Sequence, residues 1–551
     1  MEILSASEKD GNWLSWFLKG LLVFSFLFLF ARLFELQIIK GEYYRNLSDG
    51  NRIRKVRIAA PRGKIYARGG EVLIGNKPVE RKIEFKEDGE IVKTDAINIS
   101  DNDIVITEYE RKYSLEEAFL HAGGYVSEAD ETEVGKINPK CPEKGAVKLG
   151  SLLGRGGLES YYECELSGID GEELIEVDTR GRKVRILGVK EPVPGKDIRT
   201  TIDFDLQKEL PSLMGDKKGA IIVTSTDGQI NALYSNPSFD PNLFGKKEYY
   251  DQVNEALNGD DLKLFDRAIG GLYHPGSVFK PIVVIGALSE GKITKDFTYQ
   301  DTGVIKVNNY SYSNWYFTQY GRTEGEIGIE RAIARSTDTF FYKVGEILGP
   351  DYIAYWAKKF GLASLTGIDL PGEIEGLVPT PAWKYEIKGE QWFLGNTYHI
   401  SIGQGDLAVT PAEINAATVA IANGGKLCKL SVRDFDQSEC TDLKINSDYL
   451  DLVKQGMIDA CSTGGTGYTF FDFEPKVACK TGTAETNVDG KTHAWFSVFS
   501  PTESPDIVAT VLIEEGGEGS SVAGPIARDI FDFWFNRPVY QEEKEKLNPL
   551  P

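Results

Sequence analysis

The first hydrophobic feature of the chain is a long apolar segment close to the N-terminus. Most positions between 13 and 34 are apolar, and the run 21–31 contains a single polar residue, Ser25. A helix needs about 20 such residues to cross a bilayer. No small-x-small cleavage site follows, which favours an uncleaved anchor over residues 13–35 rather than a signal peptide. Charges flank both ends, so the sequence does not specify its orientation.

Beyond the anchor, shorter apolar patterns predict a region of helices and strands that ends at a linker. The predicted elements are a helix at 36–51, a strand at 52–58 and hairpin strands at 169–185. Residues 81–148 are charged, irregular and glycine-containing, and are interpreted as an inserted lobe. The run Pro192-Val193-Pro194-Gly195 is typical of a linker. The pattern therefore predicts an accessory domain over residues 36–195.

A second body is predicted over residues 196–538. Its first elements are two apolar strands around Ser225-Thr226-Asp227-Gly228, a turn sequence typical of hairpins. The further predicted helices cover 276–290, 328–360, 410–423 and 523–535, and the further strands cover 477–484, 493–499 and 507–513. Strands at both ends with helices between them predict an α+β fold with one antiparallel sheet. Residues 539–551 form a charged tail.

Composition and charge narrow the classes of function. The chain has 551 residues, 41% of them hydrophobic, and a net charge of −21. The length predicts two or three domains, and the negative charge argues against a nucleic-acid partner. The six cysteines and four histidines show no metal-ligand spacing, so no metal and no cofactor are expected. For Cys428 and Cys440 a local disulfide and free thiols are both open.

The candidate chemistry begins at Ser277 and Lys280. They follow Pro275-Gly276 and precede an apolar run, so a helix is predicted to begin near Ser277. Residues three apart share a helix face, and an amine that takes the serine proton would make the hydroxyl a nucleophile. The same spacing recurs in Ser289-Glu290-Gly291-Lys292, in a polar turn where a structural role is expected. By itself, the first pair fits a helix-capping serine with a solvated lysine equally well.

Two further motifs follow Ser277 in the same domain. Ser336-Thr337-Asp338 lies in a helical segment, and Lys480-Thr481-Gly482-Thr483 lies on a predicted strand and holds the only K-T-G of the chain. The letters S-T-D also occur at Ser225, but ahead of Ser277 and so out of order. Each motif is weak alone, whereas three in order within one domain predict a serine acyl-transfer site.

With these motifs the sequence resembles the penicillin-binding proteins, specifically the class B monofunctional transpeptidases. Gly403-Gln404-Gly405 and the stretch 336–342 resemble the elongation-type subgroup, penicillin-binding protein 2. The resemblance implies one N-terminal transmembrane helix, a β-rich non-catalytic pedestal and a C-terminal transpeptidase domain similar to serine β-lactamases. It covers nearly the whole chain, with Pro61-Arg62-Gly63 and the stretch 154–162 in the pedestal.

The resemblance also implies roles for the motif residues. Ser277 would attack a D-Ala-D-Ala stem peptide to form an acyl-enzyme, with Lys280 as base and Ser336 relaying the proton to the leaving amine. A β-lactam would acylate the same serine. The motif Lys480-Thr481-Gly482-Thr483 would bind the substrate carboxylate. Asp338 has two open positions: beside Lys280, where it would oppose use of that amine as a base, or beside Lys480.

The family further implies a setting at the membrane. The chain would sit in the cytoplasmic (inner) membrane, with residues 1–12 as a cytoplasmic tail and the large body on the periplasmic face. Expected partners are donor and acceptor stem peptides, a SEDS-type glycosyltransferase and membrane proteins of the elongation complex.

Three other functions stay open: a D,D-carboxypeptidase, a β-lactam sensor or β-lactamase, and an inactive scaffold that regulates a glycan polymerase. Glu159 is expected to be structural, and the aromatic stretch 310–320 fits either cleft lining or packing.

Overall fold

The computed structural model describes residues 11–85, 91–97, 99–100, 103–178, 181–435, 437–486, 488 and 490–537. Its first helix, α1, covers Gly11–Phe34. The helical stretch Trp13–Ile39 is 27 residues long and apolar enough to cross a membrane. The predicted apolar helix is therefore present. Of the two predicted tails, residues 1–10 and 539–551 lie outside the described residues.

The further helices are α2 (Gly41–Arg52), α3 (Leu120–Gly123), α4 (Gly157–Tyr161), α5 (Glu163–Leu166), α6 (Phe204–Met214), α7 (Tyr250–Asn258), α8 (Arg267–Gly270), α9 (Lys280–Ser289), α10 (Trp315–Tyr320), α11 (Ile329–Arg335), α12 (Asp338–Leu348), α13 (Pro350–Lys359), α14 (Pro381–Trp383), α15 (Leu394–Ser401), α16 (Pro411–Ala422), α17 (Ser447–Ala460) and α18 (Gly519–Phe535). The strands are β1 (Ile53–Ile58), β2 (Ile65–Tyr66), β3 (Val72–Phe85), β4 (Ile91–Asp95), β5 (Ile104–Tyr113), β6 (Tyr125–Glu128), β7 (Leu152–Arg155), β8 (Gly171–Val177), β9 (Lys183–Lys190), β10 (Ile198–Arg199), β11 (Gly219–Ser225), β12 (Ile230–Asn236), β13 (Tyr299–Asp301), β14 (Val304–Val307), β15 (Tyr310–Ser313), β16 (Gly325–Ile327), β17 (Lys426–Cys428), β18 (Cys440–Asp442), β19 (Ala478–Glu485), β20 (Thr492–Ser500) and β21 (Ile507–Ile513).

The first of two compact units contains the anchor and part of the predicted accessory domain. It comprises 1–61, 78–110 and 168–194. Strands β1, β8 and β9 form an antiparallel sheet with β8 in the middle. The second half of β3 pairs with β4. Residues 81–148, predicted to be irregular, thus contain regular strands. The sequence pattern did not indicate these strands because they contain many charged residues. A strand that is exposed on one face needs few apolar residues.

The second unit comprises 62–77, 111–167 and 195–551. Its centre is an antiparallel sheet in the order β12-β11-β21-β20-β19. The first two of these strands come from the start of the predicted second body and the last three from its end, which confirms the predicted α+β fold with one antiparallel sheet. One boundary between the units falls between Pro194 and Gly195, but Arg62–Lys77 and Arg111–Ser167 belong to the second unit. The domain boundaries drawn from the sequence stay predictions.

Helices cover both faces of this sheet. On β21 the side chains of Val511 and Ile513 pack in one core with α6 and α18, whereas Val508 and Leu512 pack in another with α9 and α16. Every residue of β21 is buried. Successive side chains of a strand point to opposite faces, so an unbroken apolar run is what a doubly covered strand requires.

The helical segment predicted over 328–360 is divided into α11, α12 and α13. The first break falls at Ser336, which has left-handed backbone geometry with φ of 52° and forms the C-cap of α11. Thr337 then forms the N-cap of α12, so that Asp338 is its first residue. A serine in this conformation carries a cost of order 1–3 kcal/mol, which surrounding contacts must offset.

Six cysteines form three disulfide bonds. They join Cys141 to Cys164, Cys428 to Cys440 and Cys461 to Cys479. For Cys428 and Cys440 the structure thus has the local disulfide. The other two pairs bring together residues 23 and 18 positions apart, which no local sequence pattern indicates.

A buried cluster of charges lies beneath β7 and α4 in the second unit. Glu159 is fully buried and accepts hydrogen bonds from Arg62 Nη2 at 2.7 Å and Arg111 Nε at 2.5 Å. Glu163 accepts a further bond from Arg62 at 2.8 Å. The two guanidinium groups hold the pKa of Glu159 below its ordinary value against the opposing effect of burial. Glu159 therefore serves the packing of this region, in agreement with the structural role expected for it.

We expect Glu159→Gln to destabilise the protein by about 3–5 kcal/mol, because removing one partner leaves buried cations uncompensated. Thermal unfolding of the full chain in detergent measures the effect. Glu143→Gln, at an exposed carboxylate, is the matched control. Equal melting temperatures for the two variants would contradict this account.

Candidate active site

Ser277 lies in a single 3₁₀ turn, Gly276–Phe279, that leads directly into α9. Gly276 has φ of +56°, and its N–H donates to the Gly403 carbonyl at 2.8 Å. A side chain on Gly276 would lie 2.9 Å from the carbonyl oxygen of Thr483. Glycine at this position therefore lets the first motif close against β19, the strand that carries the third motif. Ser277 itself is half-buried.

The Lys280 amine is completely buried at the start of α9. Its Nζ donates to Asp338 Oδ1 at 2.6 Å, to the Ser336 carbonyl at 2.8 Å and to Ser336 Oγ at 3.1 Å. The Phe341 ring lies below it, 5.0 Å from Nζ. Asp338 therefore pairs with Lys280, which decides between the two positions that the sequence left open for it.

The second motif owes its geometry to the break between α11 and α12. Because Ser336 is in the left-handed conformation, both its carbonyl and its hydroxyl point at the same amine. Asp338 follows at the first turn of α12, where a carboxylate is favoured by the helix dipole. One local bend thus supplies three acceptors to Lys280.

The third motif occupies the edge strand of the described sheet. Lys480 is buried, and its Nζ donates to the Thr481 carbonyl at 3.1 Å. The Thr481 hydroxyl bonds to the Thr466 hydroxyl at 3.0 Å, and Thr483 Oγ1 accepts from the Gly519 N–H at 3.3 Å. Since β19 pairs only with β20 within this sheet, its other edge is available to a peptide-like substrate.

Burial lowers the pKa of both amines, and repulsion between them adds to the shift at Lys480. Burial lowers the pKa of Lys280, while the Asp338 carboxylate opposes that shift. Burial also lowers the pKa of Lys480 well below its ordinary value. The Lys280 cation lowers the Lys480 pKa further, against the pull of Asp338. Both shifts favour the neutral form of an amine, the form that can accept a proton.

A buried hydrogen-bond network behind Asp338 was not found from the sequence. Asp338 Oδ2 accepts from the Trp315 N–H at 3.1 Å, and the Asp338 N–H donates to Asn314 Oδ1 at 3.1 Å. Asn314 Nδ2 in turn donates to Asp301 Oδ2 at 3.2 Å, and Thr339 Oγ1 donates to Asp301 Oδ1 at 2.7 Å. In the sequence, Asp301 and Asn314 stand out only as single polar residues near or within the aromatic stretch 310–320.

The aromatic stretch 310–320 packs in part against its own domain. Trp315 Nε1 donates to the Arg335 carbonyl at 2.9 Å, and the Tyr312 ring lies 4.9 Å from that of Tyr398. Tyr310 and Tyr320 remain largely exposed. Packing therefore accounts for part of the stretch, and cleft lining stays a prediction.

The repeated motif letters lie elsewhere. Ser289 is the last residue of α9, and Lys292 beyond it is exposed over the Tyr352 ring. Ser225 ends β11, and its hydroxyl bonds to Asp227 within the hairpin turn. Neither approaches the arrangement around Lys280, where the three ordered motifs meet.

Comparison with known proteins agrees with this geometry. Residues 219–532 match the family model for the penicillin-binding protein transpeptidase domain, and 98–200 match the model for the penicillin-binding protein dimerisation domain. The first match covers more than half of the chain. The chain belongs to the penicillin-binding protein transpeptidase family.

Relatives resemble this penicillin-binding protein over almost its full length. Peptidoglycan D,D-transpeptidase MrdA of Escherichia coli K12 is 31% identical, over 92% of this chain and 91% of its own. The protein of the same name from Salmonella typhimurium is 30% identical, over 94% and 95%. Each alignment covers more than nine-tenths of both chains, in agreement with the predicted resemblance.

Solved structures share the fold. Penicillin-binding protein 2 of Pseudomonas aeruginosa, in complex with WCK 5153, is 28% identical with a TM-score of 0.71, over 88% of this chain and 98% of its own. A structure titled as the coordination of polymerization and crosslinking by a peptidoglycan synthase complex is 28% identical with a TM-score of 0.75, over 96% and 99%. A complex of penicillin-binding protein 2 with MreC from Helicobacter pylori, 24% identical, has a TM-score of 0.76 over 88% and 99%.

We expect Gly482→Ala to slow acylation by one to two orders of magnitude, because displacing reacting groups by about 1 Å costs about 10²-fold in rate. The new methyl would lie 2.9 Å from Trp495 Cβ and 3.0 Å from the Pro275 carbonyl, forcing the first and third motifs apart. The rate of labelling by a fluorescent penicillin measures it.

Gly188→Ala is the control, since a methyl there meets no atom within 4 Å. An unchanged labelling rate in Gly482→Ala would show that the two motifs do not depend on this close approach.

Proposed function

We propose that this protein is a membrane-anchored peptidoglycan D,D-transpeptidase that cross-links stem peptides through an acyl-enzyme on Ser277. The observation that supports it most directly is the meeting of three separate motifs around one buried amine, Lys280, at hydrogen-bond distance from Ser336 and Asp338. The names of the relatives that cover nearly the whole chain support the same activity.

In the first half-reaction, Ser277 Oγ attacks the carbonyl of the penultimate D-Ala and its proton passes to Lys280. Burial lowers the pKa of Lys280, so a larger fraction of this amine is neutral and able to accept the proton than of an exposed lysine. Ser336 bonds to Lys280 and relays a proton to the leaving D-Ala nitrogen. The products are an ester on Ser277 and free D-Ala.

Substrate is held through its terminal carboxylate. Lys480, Thr481 and Thr483 lie along the edge strand and present an amine and two hydroxyls. An arriving carboxylate favours protonation of Lys480, whose pKa is lowered in the free protein. The N–H groups of Ser277 and Thr483 are the proposed oxyanion hole, with each donor worth roughly 3–4 kcal/mol. The amine of a second stem peptide then attacks the ester and completes the cross-link.

A role in cell-wall elongation and in the maintenance of cell shape is proposed from the resemblance to the elongation-type subgroup. A structural relative named penicillin-binding protein 2, and another whose title describes a peptidoglycan synthase complex, support a SEDS-type glycosyltransferase and elongation-complex membrane proteins as partners. The one helix of membrane-spanning length among the described residues supports a membrane anchor. The cytoplasmic membrane, and the position of the large body on its outer face, are proposed from the family resemblance.

The deciding experiment is covalent labelling of the full chain in detergent with a fluorescent penicillin, followed by mapping of the adduct. We expect the label on Ser277 and none in Ser277→Ala. Ser289→Ala, at the other S-x-x-K, is the matched control and should label normally. Absence of label from the unaltered protein would favour the inactive scaffold, and rapid loss of label a β-lactamase.

The acyl acceptor is tested with a pentapeptide donor and an excess of an amine acceptor. We expect a cross-linked product in addition to free D-Ala. Release of D-Ala with only a hydrolysed tetrapeptide would show a D,D-carboxypeptidase. This outcome would leave the role of Ser277 intact and replace only the second half-reaction.

We expect Asp338→Asn to retain measurable acylation and to shift the rising limb of its pH profile to lower pH, because an adjacent carboxylate raises the pKa of an amine. The Asp338 carboxylate raises the pKa of Lys280, and only the neutral amine serves as base. Removing the carboxylate therefore makes the amine neutral at a lower pH. The second-order rate of labelling, measured at a series of pH values between about 5 and 10, gives the position of the rising limb.

Asp448→Asn, which removes an exposed partner of Lys295, is the control and should leave the profile in place. Complete loss of acylation at every pH would show that the Asp338 carboxylate itself is needed. A shift to higher pH would contradict the assignment of Lys280 as base.

A further inference from the structure

The edge strand β19 is covered at its beginning and open at its end. Residues 478–482 are buried, whereas Thr483 and Glu485 are exposed. The loop that follows α17 covers the beginning of the strand, where the Thr466 hydroxyl meets the Thr481 hydroxyl at 3.0 Å. A peptide whose C-terminus is held at Thr481 and Thr483 therefore has room to extend along the strand in the direction of Glu485.

Glu485 ends a row of side chains on one face of β19. Side chains two apart on a strand share a face, so Glu485 continues the row of Thr481 and Thr483. An extended chain advances about 3.3 Å per residue, which separates Thr483 from Glu485 by about 7 Å. The residue directly before D-Ala-D-Ala lies the same distance from the C-terminal residue of an extended peptide. This geometry brings that residue beside Glu485.

Gln404 holds His399 of α15 near the same end of the strand. The Gln404 N–H donates to the His399 carbonyl at 2.9 Å, and Gln404 Nε2 donates to the Thr483 carbonyl at 3.4 Å. A side chain on Gly405 would lie 3.1 Å from His399 Cβ, so glycine lets this turn approach the helix closely. His399 is thereby fixed near the exposed part of β19.

Two tyrosines stand beside His399. The Tyr312 ring of β15 lies 5.8 Å from the His399 ring and 5.8 Å from the Tyr342 ring. Tyr342 is on α12, four residues after Asp338, so the two side chains share a helix face. The face of an aromatic ring attracts a cation within about 6 Å. The three rings therefore form an aromatic wall that could contact a positively charged ligand.

Glu485 lies close enough to this wall to act on its titratable groups. Burial raises the pKa of Tyr342, and the Asp338 and Glu485 carboxylates raise it further. Neighbouring groups shield His399 from water and lower its pKa, against the pull of Glu485 and Asp406. The imidazole is therefore uncharged near neutral pH and does not repel a cation.

The three carboxylates that act on these rings differ in what they bind. Asp338 is paired with Lys280 at 2.6 Å, and Asp406 is paired with Lys384 at 2.9 Å. Within the part of the chain that the structure describes, the Glu485 carboxylate has neither an ion pair nor a hydrogen bond. Its negative charge is therefore available to a ligand of opposite charge.

The cross-linking reaction supplies a ligand with this charge. Donor and acceptor are copies of one kind of stem peptide, so each donor also carries the side-chain amine that makes an acceptor. An alkyl amine has a pKa of about 10.4 and is a cation near neutral pH. On the residue directly before D-Ala-D-Ala, such an amine would lie between the Glu485 carboxylate and the aromatic wall.

We propose that Glu485, Tyr312 and His399 form a binding site for the cationic side-chain amine of the donor stem peptide. The site selects a donor whose residue before D-Ala-D-Ala carries a free amine. The inference rests on the proposed function, which places the terminal carboxylate of the donor at Thr481 and Thr483.

The test uses two penicillins in which Nα-acetyl-L-lysine is the acyl side chain. One probe has a free side-chain amine, and in the other this amine is acetylated. In both, the penicillin nucleus stands for D-Ala-D-Ala and the lysine for the residue before it. The measurement is the second-order rate of Ser277 acylation by each probe, in competition with a fluorescent penicillin, for the full chain in detergent.

We expect the unaltered protein to prefer the free amine by about fivefold, the size typical of an exposed ion pair with a cation–π contact. Glu485→Gln should abolish this preference and leave the rate for the acetylated probe unchanged. Tyr312→Leu should reduce the preference by about twofold. The matched control is Glu503→Gln, at an exposed carboxylate between β20 and β21, and it should retain the full preference.

Ionic strength gives a second readout that a structural role would not move. Raising the salt concentration from about 0.05 M to about 0.5 M screens exposed charges. We expect this change to reduce the preference of the unaltered protein and to have no effect on the ratio in Glu485→Gln.

Equal rates for the two probes in the unaltered protein would overturn the proposal, as would a preference that survives in Glu485→Gln. An equal fall for both probes in Glu485→Gln would also overturn it, because it would show a merely structural role. Failure of the proposed function itself looks different, since neither probe nor the fluorescent penicillin would then acylate Ser277 in the unaltered protein.

Discussion

The arrangement of the catalytic body depends on keeping the Lys280 amine out of water. A buried ammonium group costs several kcal/mol unless partners replace its hydration, and here Asp338 and Ser336 do so. The same burial lowers the pKa of the amine toward the range in which a base is useful. Stability and activity therefore make opposing demands on one group, and the carboxylate of Asp338 sets the balance between them.

That requirement explains the break between α11 and α12. A continuous helix would direct the Ser336 carbonyl along its own axis and leave Lys280 with fewer acceptors. The left-handed Ser336 turns its carbonyl and hydroxyl toward the amine instead. Asn314 and the Trp315 N–H fix Asp338 from behind, so the network extends beyond the three motifs into the segment 301–315. Local backbone strain at Ser336 is thereby compensated by several hydrogen bonds at once.

Much of the fold was predictable because its signals are local. The apolar run of α1, the hairpin of β11 and β12, and the three apolar strands at the C-terminal end each show their period in the sequence. The three motifs were predictable in order and domain. The strands β3, β4 and β5 were missed because charges dominate their sequence, and Asp301, Asn314 and Thr466 because each is a single polar residue without a pattern.

The sequence by itself determined which residues are present for acyl transfer. It also determined the apolar helix of membrane-spanning length, and that strands from both ends of the second body contribute to one sheet. Only the tertiary structure decided that Asp338 faces Lys280 and that Thr466 meets Thr481. The physical reason is distance along the chain. Periodicity and turn chemistry report on neighbours a few residues apart. The pairing of two charges, and hence the pKa of Lys280, depends on elements that only packing brings within hydrogen-bond range.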